Sequence, residues 1–137
     1  MIDFNYETDF TIANEETIST WITKVLTEEG FKEGEINYVF CNDEYLHKLN
    51  VEFLDHDTLT DVISFDYTMG KLISGDIFIS IDRVRDNAKY FKVDFINELY
   101  RVMVHGILHY CGYKDKSQED AKTMRAKENH YLGLINS

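Results

Sequence analysis

One segment constrains the architecture of this chain more than any other. From about Asp94 to Cys111 the apolar residues Leu99, Val102, Met103 and Leu108 recur at helical spacing, so the segment reads as a helix whose apolar face must be buried. Into that helix are set His105 and His109, four residues apart and therefore on one face. Two imidazoles so placed can grip one cation without bending the backbone. Gly112 follows, and glycine takes the left-handed conformation after a helix at little cost, which turns the chain and lets Asp115 swing back as a third ligand. Two nitrogens and one oxygen suit Zn2+, one per chain, and leave the fourth tetrahedral position for water, as in a catalytic zinc site. Two histidines at this spacing also occur on helix faces with satisfied hydrogen bonds. A buried helix, however, rarely spends two titratable residues without a partner for them.

Zinc peptidases of the His-Glu-x-x-His type carry their general base directly after the first histidine. Here that position is Gly106, which argues against peptide hydrolysis by that route.

The rest of the chain alternates between helix and strand patterns. Residues 2–6 and 36–40 read as strands, with a helix between them that opens at Asn14, buries Ile18, Trp21, Ile22, Val25 and Leu26, and stops at Gly30. Asn42 can cap a second helix holding Tyr45, Leu46 and Leu49, and the polar stretch from Asp55 to Thr60 reads as a loop. Residues 62–67 and 73–81 are strand-like around Gly70, which predicts a hairpin. Asp82 can start a helix through Tyr90, and Ser117 with Asp120 resembles a capping box for a last helix. These elements predict an α+β fold: a small mixed sheet of about four strands covered by helices, with the metal site at the end of a long central helix. A length of 137 residues suits one domain, 1–137, with one core.

With 14 basic against 25 acidic residues the net charge is −11, which repels nucleic acid over the surface as a whole. An RNA substrate therefore requires local cations. Arg83, Arg85 and Lys89 on one expected helix and Arg101 on another are candidates, though a solvated helix face accounts for most of them. Cys41 and Cys111 are too few for a disulfide framework, the acidic start is no signal peptide, and no run of about 18 apolar residues occurs. The expectation is a cytoplasmic protein with reduced thiols and no membrane contact. Cys111 reads as a small buried hydrophobe, and His47 and His130 as surface residues.

The run His105-Gly106-x-Leu108-His109-x-x-Gly112-Tyr113-x-Asp115 resembles the signature of the YbeY family, bacterial rRNA maturation factors and metal-dependent, single-strand-specific endoribonucleases. Two upstream segments agree with it. Leu49-Asn50 followed by Thr60-Asp61-Val62-Ile63-Ser64-Phe65, and Gly75-Asp76-Ile77-x-Ile79-Ser80, are similar to two further family motifs, so the resemblance spans residues 49 to 115. It implies the same mixed architecture, a metal held by His105, His109 and Asp115, and Asp61, Ser64 and a Gly75-Asp76 turn near the metal cleft. From the residues alone, Asp61 reads equally as a capping residue supported by Thr60, and Asp76 as an ordinary turn residue.

Two departures bear on chemistry. Many family members have a third histidine where this chain has Asp115, an exchange that shifts preference toward harder ions such as manganese. The family also commonly places an arginine where this chain has Leu54; nearby His56 and Lys48 offer charge but read as surface residues. The resemblance implies cleavage of single-stranded RNA in small-subunit rRNA 3′-end maturation and ribosome quality control, with catalytic roles for His105, His109 and Asp61. It implies the small ribosomal subunit and its proteins as partners, and leaves the oligomeric state open. A non-catalytic, metal-stabilised ribosome assembly factor and a zinc hydrolase of peptides or small molecules are the alternatives.

Overall fold

A computed structural model describes residues 1–56 and 58–136. Its elements run β1 (Ile2–Tyr6), α1 (Glu15–Glu28), β2 (Lys32–Cys41), α2 (Asp43–Leu54), β3 (Val62–Asp66), β4 (Leu72–Ser80), α3 (Ile81–Phe91), α4 (Phe95–Tyr110) and α5 (Gln118–Ile135). The sheet order is β1-β2-β4-β3, with β1, β2 and β4 parallel and β3 antiparallel to β4. This is the expected mixed four-stranded sheet, and the β3–β4 hairpin forms around Gly70. Asp57, within the loop expected from Asp55 to Thr60, lies outside the described residues.

Strand alternation sorts the two faces of the sheet. Ile73, Ile77 and Ile79 of β4 join Ile36, Tyr38 and Phe40 of β2 in the main core, under α1, α4 and α5. The opposite face carries Phe65 and Phe78, which pack with Cys41, Leu46 and Ile63 against α2. Rings of Phe4, Tyr38, Phe40 and Tyr6 stack along β1 and β2. Helix α5 is tied down where Trp21 donates from Nε1 to the Tyr131 carbonyl, 2.8 Å away.

Several boundaries differ from the local pattern, each for a nameable reason. Strand β2 begins four residues before Ile36, because a register shift between Glu33 and Ile36 lets its irregular start still pair with β4. Asn14 makes no cap to α1; its amide donates to the Tyr100 hydroxyl at 3.0 Å. Ser80, not Asp82, caps α3, accepting from the Arg83 amide at 3.2 Å, so Ile81 is already helical. Asn42 and Ser117 cap α2 and α5 as expected.

Candidate metal centre

Helix α4 is fixed on the sheet on either side of its histidines. Before them, the fully buried Tyr38 of β2 donates its hydroxyl to the Met103 carbonyl at 2.9 Å. After them, the Tyr110 hydroxyl lies 3.0 Å from the Phe65 carbonyl and 3.1 Å from that of Asp76, joining the end of the helix to β3 and β4. That approach requires Gly75, since a Cβ there would sit 2.5 Å from the Phe65 carbonyl oxygen and 2.6 Å from the Tyr110 hydroxyl. Gly106 faces the sheet, with Ile77 Cδ1 3.0 Å from where its Cβ would stand. The site of the peptidase glutamate is thus directed at the core, which strengthens the case against that mechanism.

The end of α4 closes as a Schellman turn. The Tyr113 amide donates to the Leu108 carbonyl at 3.1 Å and the Gly112 amide to that of His109 at 3.0 Å, with Gly112 at φ +103°. The turn returns Asp115 over the histidines. His105 Nε2 and His109 Nε2 are 2.9 Å apart, and Asp115 Oδ2 lies 3.2 Å from the first and 3.4 Å from the second. Ligands about 2.0–2.1 Å from a tetrahedral zinc stand about 3.3 Å from one another, so this triangle has the size of one face of such a site.

The other ring nitrogens decide what the Nε2 atoms present. His109 Nδ1 is 2.9 Å from the Tyr113 carbonyl oxygen, which only accepts, so Nδ1 carries the proton. His105 Nδ1 is 2.6 Å from Glu128 Oε2 and donates to that carboxylate. In the neutral rings both Nε2 atoms therefore turn lone pairs toward one point beside a carboxylate oxygen, an arrangement that repels itself and is complementary to a cation. Burial works against a charged His105, but the hydrogen bond and charge of Glu128, with Asp115 and Asp61, outweigh it and hold the imidazole pKa above its usual value. Burial likewise disfavours the Glu128 carboxylate, and the hydrogen bonds from His105 and Arg101 outweigh it and hold its pKa low. Among the described residues, His105, His109 and Asp115 form the one group of three such side chains close enough to share a metal ion.

A cleft of about 300 Å³ opens beside His105, where α3, α4 and α5 meet the segment before β3. Asp61 lines it, held by Asn87 Nδ2 at 3.4 Å and by its own carbonyl, which accepts from the Ser80 amide at 2.9 Å. Asp61 is not part of the converging triad. Arg101 and Arg125 also line the cleft, at 2.9 and 3.5 Å from Glu128 Oε1. Arg101 is no solvated surface residue, its side chain being 17% exposed.

Other expected positions fall elsewhere. Gly75 and Asp76 form no turn but lie inside β4, where Asp76 sits on the α2 face of the sheet and accepts from Asn37 Nδ2 at 3.0 Å. Arg83 is bound to Asp43 and Asp86, Leu54 ends α2 away from the cleft lining, and exposed His130 pairs with Glu28. Half-buried Cys111 has its thiol pKa pushed up to about 12 by burial and the charge of Glu29. Glu128, Arg125, Glu98 and Asn87 were not expected at the site. For Glu128 a signal existed, since it falls on the apolar stripe of α5 between Met124 and Tyr131, where a carboxylate needs a partner.

Similarity to known proteins agrees with this geometry. A family model described as Endoribonuclease YbeY matches residues 2–136. The chain is 62% identical over 135 residues to Endoribonuclease YbeY of Flavobacterium johnsoniae, covering 98% of this chain and 97% of that protein. It is 48% identical over 134 residues to Endoribonuclease YbeY of Christiangramia forsetii, covering 98% and 94%. The solution structure of TM1509 from Thermotoga maritima superposes with a TM-score of 0.73 at 26% identity, over 98% of this chain and 89% of that one. With the family model matching almost end to end and the His-Gly-x-Leu-His run folded into a metal-sized triangle, the chain belongs to the YbeY endoribonuclease family.

Proposed function

We propose that this chain, acting as one domain, is a metal-dependent endoribonuclease that hydrolyses phosphodiester bonds of single-stranded RNA during maturation of small-subunit rRNA. The observation that carries the reading is the pair of opposed Nε2 lone pairs beside Asp115, at the mouth of a cleft that also holds arginines. The relatives' names supply the substrate class and the rRNA setting follows from the family.

His105, His109 and Asp115 would hold one divalent ion, with zinc the best match to two nitrogens and one oxygen at tetrahedral spacing, and manganese the alternative that Asp115 admits. When bound, such an ion supplies Lewis acidity toward a phosphoryl oxygen. The chain's own residues do the rest. Glu128 fixes the tautomer and orientation of His105, and the Tyr113 carbonyl does the same for His109. Asp61, on the cleft wall, would accept a proton from the attacking oxygen. Arg125, 59% exposed and loosely paired, can turn its guanidinium to the substrate phosphate, supplying charge that Leu54 does not. Those cations are local, which is what a chain of net charge −11 requires of an RNA site. Among the described residues no helix is long and apolar enough to cross a membrane.

The test is cleavage of end-labelled single-stranded RNA by zinc-loaded protein, beside His109→Ala prepared identically and shown to be folded. Cleavage by the wild type alone is the expected result. Equal cleavage by both would trace the activity to contamination, and no cleavage by a fully loaded protein would leave a non-catalytic assembly factor as the reading.

A further inference from the structure

Among the carboxylates that line the cleft, Asp61, Glu98 and Glu128, only Glu98 has no part in the reaction. Its side chain lines the cavity from the first turn of α4, and the residue is only 7% exposed. Among the described residues it has no side-chain hydrogen bond and no ion pair, although Arg101 lies one turn further along the same helix face. Among the described residues no buried side-chain nitrogen or oxygen lacks a hydrogen-bond partner, so the Glu98 oxygens open onto the cleft, where a ligand can reach them. Burial pushes the Glu98 pKa above the usual carboxylate range; Arg101 and Arg125 pull against this, and Asp61 and Glu128 add to it.

The surroundings limit what those oxygens can receive. A second metal ion is disfavoured because Glu98 does not converge with two other ligands, Glu128 is already taken by His105 and Arg101, and two guanidinium groups share the space. A free phosphate is disfavoured by the three carboxylates of Asp61, Glu98 and Glu128. A flat heterocycle carrying both donors and acceptors meets neither objection. Val62 and Val102 supply apolar walls, Phe91 an exposed ring, and about 300 Å³ holds one base.

We propose that the cleft beside the metal site takes one unstacked base of the RNA and selects guanine. Guanine alone among the four bases presents two adjacent N–H donors followed by an acceptor on its pairing edge. N1–H and N2–H meet the two oxygens of Glu98, O6 accepts from the free N–H groups of Arg101, and Phe91 stacks on the ring. Arg101 keeps its bond to Glu128 through one nitrogen, so base and metal ligand are linked through Arg101, Glu128 and His105. The assignment rests on the ribonuclease reading above for its substrate class, and its test does not require turnover.

The experiment is calorimetric titration of the zinc-loaded protein with 5′-GMP, 5′-AMP, 5′-CMP and 5′-UMP. All four carry the same phosphate, so differences report the base. A bidentate base contact discriminates by about tenfold or more, so 5′-GMP should bind at least that much tighter than the others. Glu98→Gln, whose amide turns a donor toward guanine's own donors, should abolish the preference. Phe91→Ala, at an exposed ring that does not threaten folding, should weaken all four nucleotides alike, and stands in if Glu98→Gln does not fold. Equal binding of the four nucleotides, a guanine preference that survives in Glu98→Gln, or no effect of Phe91→Ala would each overturn the proposal. Guanine selectivity without RNA cleavage would retain the base site and remove the nuclease. Cleavage without selectivity would do the reverse.

Discussion

The carboxylate behind His105 offers the sharpest measurement. Glu128 is 5% exposed in its side chain, receives His105 Nδ1–H at 2.6 Å and Arg101 at 2.9 Å, and has no freedom to be replaced by water. Glu128→Gln keeps the shape and one acceptor but removes the charge. A hydrogen bond to a charged group contributes about 1.5–3 kcal/mol against about 0.5–1.5 for a neutral one, so His105 loses about 1–2 kcal/mol of orientation and basicity. That corresponds to about a 5- to 30-fold rise in the zinc Kd, overlapping the lower part of the roughly 10- to 100-fold range typical of residues that orient a metal ligand. Competition with a chromophoric chelator at fixed pH measures it, and thermal unfolding of the metal-free protein run in parallel separates ligand orientation from folding. A folded variant with zinc affinity within about twofold of wild type would refute the reasoning, because the amide oxygen in Glu128→Gln keeps the tautomer and the predicted loss comes from the carboxylate charge behind His105 alone.

Three further outcomes follow from the same geometry. Asp115→Asn, at a 39% exposed side chain, should leave the fold intact and weaken zinc binding by about tenfold or more; unchanged affinity would remove Asp115 from the ligand set. Gly75→Ala should cost about 1–3 kcal/mol by driving Tyr110 off the Phe65 carbonyl, lowering the melting temperature by several degrees, and an unshifted melting curve would show that the helix end can move freely. Burial disfavours the Glu29 carboxylate, but hydrogen bonds from Tyr113, Tyr131 and Lys127 outweigh it and hold its folded pKa below the usual 4.5. Its stabilisation is therefore present above pH 4.5 and lost as pH falls through the folded value, so Glu29→Gln should be less stable than wild type at neutral pH and converge with it in acid. A stability difference that stays constant through that acid range in denaturant titrations would contradict this.

What was legible in the sequence was what short-range pattern encodes. The apolar period of α4, the one-turn histidine pair and Gly112 all act within about four residues of one another, and they led directly to the triangle around Asp115. The hairpin around Gly70 and the caps at Asn42 and Ser117 are equally local. Asp76 was misjudged because Gly-Asp has turn chemistry in isolation, whereas here Gly75 is selected for the approach of Tyr110 and Asp76 is paired across the strands to Asn37. Which of the candidate cations lies at the site was not legible, because the partner that holds Arg101 there, Glu128, is on another helix. Glu98 lay hidden for a different reason, since its lack of a partner is a property of the assembled cleft that no spacing reports.

The order in which the site is translated has its own consequence. His105 precedes the carboxylate that orients it, Glu128 lying 23 residues later, whereas His109 is oriented by the nearby Tyr113 carbonyl. At about 5–20 residues per second, synthesis of that interval takes about one to five seconds. During it a nascent chain has both imidazoles but neither the carboxylate that sets the His105 tautomer nor the Arg125 side of the cleft. The finished centre is therefore a product of the last helix, and a chain still being made on a ribosome has no assembled site with which to act on the RNA around it.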